Sequence, residues 1–136
     1  MKTANGKKIR KKHYISCAYG GTASANRCKW KMKEFSGDLF EINSSGYVVV
    51  NRDTTIIIDA NIMWFNGSQM GCYLHISGTN VQGGATGGTN ITQYDSYGFN
   101  GVVYNAKAGD YITVDCHQPT INSYQPTASY LIVKEL

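Results

Sequence analysis

From Thr54 to the C-terminus the chain is a succession of short segments in which apolar and polar residues alternate, each closed by turn residues. The longest, Thr54–Phe65 (TTIIIDANIMWF), is followed by YITVDC at 111–116 and SYLIVKEL at 129–136. A period of two with no helical period between the segments describes strands of one sheet folded onto a second sheet. In the longest segment Ile56, Ile58, Ala60, Ile62 and Trp64 share one face. The other face carries Asp59 and Asn61 but also Ile57, Met63 and Phe65, so it is only partly suited to water. A strand apolar on both sides predicts a cover on its outer side, and a second subunit would supply one.

The same alternation organises the first half. Tyr14–Tyr19 reads as a strand ending at Gly20-Gly21, and 22–26 as a loop. Across 27–35 Cys28, Trp30 and Met32 fall on one side, with Arg27, Lys29, Lys31 and Lys33 between them. That pattern fits a half-buried strand whose lysines suit a sheet edge. Short strands follow at 39–42, 47–50, 70–76 and 102–104, while the uncharged stretch 77–90, with five glycines, reads as a flexible surface loop. The segment 117–126, holding both prolines, reads as another. At 136 residues and 15.0 kDa the chain has room for one domain, expected over residues 14–136.

Charge divides it differently. Residues 1–33 hold ten of the thirteen basic residues and no acid; residues 34–136 hold three bases and nine acids, a balance of −6. The densest cluster, Lys7, Lys8, Arg10, Lys11 and Lys12, sits in a basic arm spanning residues 1–13. Such a run docks on an acidic protein surface or releases counterions from a phosphate backbone. The arm has no apolar stretch with a small-residue cleavage site, and no run of about 18 apolar residues occurs. The expectation is synthesis in a cytoplasm without a membrane span.

Little points to catalysis. Cys17, Cys28, Cys72 and Cys116 form no C-x-x-C pair. Alternation turns Cys72 and Cys116 toward the core, so buried free thiols are expected, with a disulfide or zinc as the alternatives. On a strand Cys72 and His75 point to opposite faces, as do the neighbours Cys116 and His117. His13, at the end of the basic run, is expected to be exposed. Asp110 belongs to a turn and Asp115 to an exposed strand position; no paired carboxylates, calcium loop, G-x-S-x-G or G-K-[ST] loop appears. No cofactor or metal is expected.

Several landmarks in order carry a family resemblance: Gly46–Val50, the turn at 51–53, the strand Ile56–Trp64, the Ala106-Lys107-Ala108-Gly109-Asp110-Tyr111-Ile112 entry to a late strand, and the closing Ser129–Val133. In this order the chain, over residues 14–136, resembles the trimeric jelly roll of tumour-necrosis-factor-like proteins and complement-type globular heads, which also serves in bacteriophage structural proteins. The resemblance implies an all-β single-domain β-sandwich that assembles as a homotrimer. Tyr130 and Ile132, or Leu131 and Val133, would then line the axis, with Met63 and Phe65 on the exposed side of the central strand.

The function expected from this is a non-enzymatic structural protein of a virion: a bacteriophage head fibre, capsid decoration or tail-tip component. Its arm would dock on an acidic capsid or tail surface. Tyr94, Tyr97 and Tyr124 would lie on outward loops suited to a host-surface glycan or protein. Two alternatives stand beside it, a capsid-type jelly roll whose arm contacts nucleic acid and a carbohydrate-binding module.

Overall fold

A computed structural model describes residues 12–22, 27–65, 70–86, 94–117, 123–124 and 129–136. The cluster residues Lys7, Lys8, Arg10 and Lys11 lie outside these. The described residues form eleven strands and no helix: β1 (Tyr14–Thr22), β2 (Cys28–Ser36), β3 (Phe40–Ile42), β4 (Val48–Val50), β5 (Thr54–Phe65), β6 (Met70–Ile76), β7 (Thr79–Thr86), β8 (Tyr94–Ala106), β9 (Tyr111–His117), β10 (Ser123–Tyr124) and β11 (Tyr130–Glu135).

All pairings are antiparallel. In the first sheet β5 is central: β8 runs along one edge for its whole length, while β11 and then β10 share the other. Beyond β11 come β1 and, outermost, β2. The second sheet has the order β3-β4-β9-β6-β7. The chain crosses between sheets from β2 to β3, β4 to β5, β5 to β6, β7 to β8, β8 to β9 and β9 to β10, which is the winding of a jelly roll.

Alternation places the core. Ile56, Ile58, Ala60 and Ile62 of β5 are fully buried, and so are Leu74 of β6, Phe99 of β8, Ile112 and Val114 of β9, and Leu131 and Val133 of β11. Their burial from both sheets removes apolar area from water at roughly 25 cal/mol per Å². The closing strand is thereby oriented: Leu131 and Val133 face inward, leaving Tyr130 and Ile132 on the outer face.

Turns connect these strands through specific bonds. At the entry to β9, Gly109 adopts φ +90° and donates its N–H to Val50 O, while Asp110 accepts from Lys107 N at 2.8 Å. Asp53 accepts from Ala108 N at 2.8 Å, tying the 51–53 turn to the same corner. Opposite Asp59, β8 takes one extra residue; Gly101 sits there at φ +63° and its N–H is bound by the Asp59 carboxylate at 2.8 Å.

Four expectations need correction. The glycine-rich stretch is not a loop throughout: Ser77-Gly78 makes a tight turn and β7 then pairs with β6 from Thr79 to Thr86. Glycine is needed there because a Cβ at Gly83 would strike the Tyr73 ring and one at Gly84 the Tyr97 hydroxyl. Met32 is 44% exposed although Cys28 and Trp30 are buried: past Trp30 the outermost strand is uncovered, and 31–35 are exposed throughout. Asp115 is buried rather than exposed, because Arg27 and His75 stand over its carboxylate. His13 is half-buried; its Nδ1 accepts from the N–H groups of Asp38 and Leu39 at 3.1 and 3.3 Å.

Candidate functional site

The outer face of the first sheet belongs to residues that alternation turns away from the core. Ile57 on β5 stands opposite Val103 on β8 and Lys134 on β11, Asp59 opposite Ile132, and Asn61 opposite Tyr130. Ile132 in turn lies opposite Ser16, and Tyr130 opposite Ala18, on β1. Small residues on β1 beside larger ones on β11 leave a hollow of about 760 Å³, bordered by Ser16, Ala18, Tyr19, Asp59, Tyr130 and Ile132, with Lys33 at its β2 side. Val103 is 54% and Tyr130 38% exposed; Ile57, Ile132 and Met63 are half-buried.

The hollow has a rigid end. Ser129 is buried, accepts Met63 N–H on its hydroxyl at 2.9 Å, and donates back to Met63 O at 3.4 Å. Across the face, the Tyr14 hydroxyl donates to the Glu34 carboxylate at 2.6 Å, which raises the tyrosine's pKa above its ordinary value. The face therefore combines uncovered aliphatic and aromatic groups with a carboxylate and a lysine, a composition suited to contact rather than to chemistry.

Two polar clusters lie elsewhere. On the outer face of the second sheet Arg27 Nε stands 3.3 Å from Asp115 Oδ1, and His75 Nδ1 stands 3.2 Å from Oδ2. Asp115 holds the Arg27 pKa above its ordinary value. The trio ties the start of β2 to β9 and β6, with the Asp115 carboxylate buried beneath the other two side chains. In the core, Cys116 Sγ lies 3.7 Å from Cys72 Sγ and 3.9 Å from Cys28 Sγ, and all four cysteines are buried thiols. Contact with Cys116 and burial raise the Cys72 pKa; burial pushes Cys17 up to about 12. Cys17 and Cys72 are thereby held as protonated thiols. Among the described residues no His/Cys/Asp/Glu group could hold a metal ion.

Of the residues singled out from the sequence, Tyr130, Ile132 and Met63 come together on the outer face of the first sheet. Phe65 continues that strand, Tyr94 lies on β8 opposite it, and Tyr124 on β10 pairs with Trp64, but the side chains of all three are outside the described part. Tyr97 is not on a loop: it sits in β8, packed against the core and 5.1 Å from the Phe99 ring. Lys12 is exposed. Missed in the sequence were Val103 as the neighbour of Ile57, and Arg27 with Asp115 and His75. Nothing local signals either group, since their members are joined only by sheet pairing.

The strand order defines the class: the chain has a tumour-necrosis-factor-like jelly-roll fold. Among solved structures it is similar to murine APRIL at pH 5.0, with a TM-score of 0.75, 18% identity, and coverage of 93% of this chain and 100% of that one. It is similar also to Eiger TNF from S. frugiperda, with a TM-score of 0.76, 14% identity, and coverage of 93% and 94%. No protein-family model matches the chain, and no curated protein matches it in sequence. At these identities the likeness is one of fold.

Proposed function

We propose that the protein is a non-enzymatic homotrimer serving as a structural component of a virion, such as a bacteriophage head fibre, capsid decoration or tail-tip protein. Its basic arm docks on an acidic surface of the particle, and the far end of the sandwich meets the host. The observation that carries the trimer is the uncovered row of Ile57, Val103, Ile132 and Tyr130 on the outer face of the first sheet. Apolar groups left half in water across adjoining strands of one sheet are stabilised when sister copies cover them. The fold likeness agrees with that reading, and the charge division supports docking, since the arm is basic while residues 34–136 carry −6.

Light scattering tests the assembly: three copies of 15.0 kDa give about 45 kDa in solution, and a stable 15.0 kDa species overturns the proposal. Docking is tested by deleting residues 1–12. The truncated protein is expected to remain trimeric but to lose retention on an anionic matrix at low salt.

A further inference from the structure

β2 is the outermost strand of its sheet, and β1 is its one strand partner among the described residues. Its opening is held: Arg27 bridges to Asp115 of β9, and Trp30 N–H donates to Gly46 O at 2.8 Å. Beyond Trp30 the strand changes character, and Lys31, Met32, Lys33, Glu34 and Phe35 are all exposed, so neither face is covered. Phe35 is 57% and Met32 44% exposed, two of the five large apolar side chains left exposed among the described residues. Exposed edges of this kind template the addition of another strand, and most proteins blunt them.

We propose that β2 is a docking edge that takes an extended acidic segment of a partner protein as an added strand. Charge chooses the partner's chemistry. Lys29, Lys31 and Lys33 mark the strand, and its one acid, Glu34, is turned back onto β1 by the Tyr14 hydroxyl. A second copy of β2 would set lysines against lysines, which is destabilising. A partner strand with Asp or Glu at alternate positions meets the lysines, and its intervening apolar residues meet Met32 and Phe35. Nucleic acid fits less well, because phosphates only accept hydrogen bonds while a free edge offers carbonyl acceptors as well as N–H donors. The stem of Lys29 lies against Gly46 and that of Lys31 against Gly20, so their ammonium groups are carried on supported stems rather than loose ones. Tyr14, the first residue of β1, pairs with Ser36 at the end of this edge.

The test uses the full chain and three fluorescent probes: a capped ten-residue peptide alternating Glu and Val, a peptide of the same composition with the glutamates in one block, and a single-stranded oligothymidine. Binding is read by anisotropy at physiological salt. The alternating peptide is expected to bind about tenfold or more tightly than the block peptide, and more tightly than the oligonucleotide. Lys31→Glu with Lys33→Glu is expected to weaken it more than about tenfold, and Lys31→Gln with Lys33→Gln less so. Reversal of Lys7, Lys8 and Arg10 in the arm is expected to change it by less than about threefold. Circular dichroism melts verify that each variant folds, and amide exchange of β2 should slow when the alternating peptide is bound. Equal binding of the two peptides, tighter binding of the oligonucleotide, loss confined to the arm variant, or no binding overturns the proposal.

Discussion

Single residues hold the corners of this sandwich. Gly37 adopts φ +75°, and an added Cβ would run into the His13 ring, whose Nδ1 accepts from Asp38 and Leu39. Gly37→Ala is therefore expected to lower stability by about 1–3 kcal/mol in denaturant titrations, combining a left-handed backbone with an overpacked contact. The thiols make a second residue-level case. Burial lifts Cys17 from an ordinary 9.0 to about 12, so the folded protein holds that proton where the unfolded chain has lost it. The resulting stabilisation is complete below about pH 9 and disappears as pH rises through about 12. Urea unfolding of the parent and of Cys17→Ala at about pH 8 and pH 11 should show a smaller alkaline loss in the variant. A thiol-reactive disulfide reagent should react slowly with the native protein and count four thiols after unfolding.

At the scale of strands, the two faces of β11 and β5 differ: one packs the core and the other carries the contact proposed for assembly. Leu131 is fully buried between the sheets, so Leu131→Ala is expected to cost about 2–5 kcal/mol by chemical denaturation. Tyr130 and Val103 lie on the opposite face and are exposed in one chain. Tyr130→Glu with Val103→Glu is expected to change the stability of the single chain by less than about 1 kcal/mol while abolishing the larger species in light scattering. The glycines of β7 teach a related lesson. Read along the chain, Gly83 and Gly84 look like loop; in the sheet they are the places where Tyr73 and Tyr97 lie against the backbone. The signal that misled is chemical: glycine gives no period, and the reason for it sits on other strands.

At the scale of the whole molecule, charge and shape combine. The β1–β2 pairing sets Tyr14 beside Ser36, so Lys29, Lys31 and Lys33 lie on the outermost strand of the first sheet. The acids of the body are mostly spent on local ties: Asp53 and Asp110 in the β9 corner, Asp59 at the β8 bulge, Asp115 beneath Arg27 and His75. Binding to an anionic surface should consequently fall steeply as salt is raised, since it rests on exposed cations. A chromatographic salt series checks this, and elution that ignores salt would argue for an apolar contact instead.

Alternation of side chains carried most of the architecture in one dimension: an all-β sandwich, the buried face of β5, and the turn at Gly109-Asp110 follow from period two and from turn chemistry. Period two is local, so it reports that two faces differ without reporting which element covers either. Whether Leu131 or Tyr130 points inward, why glycines sit in β7, how Asp115 comes to be buried, and which strand is left at the edge all depend on partners on other strands. Those answers come from sheet pairing, because it is the meeting of distant strands that decides which groups water reaches.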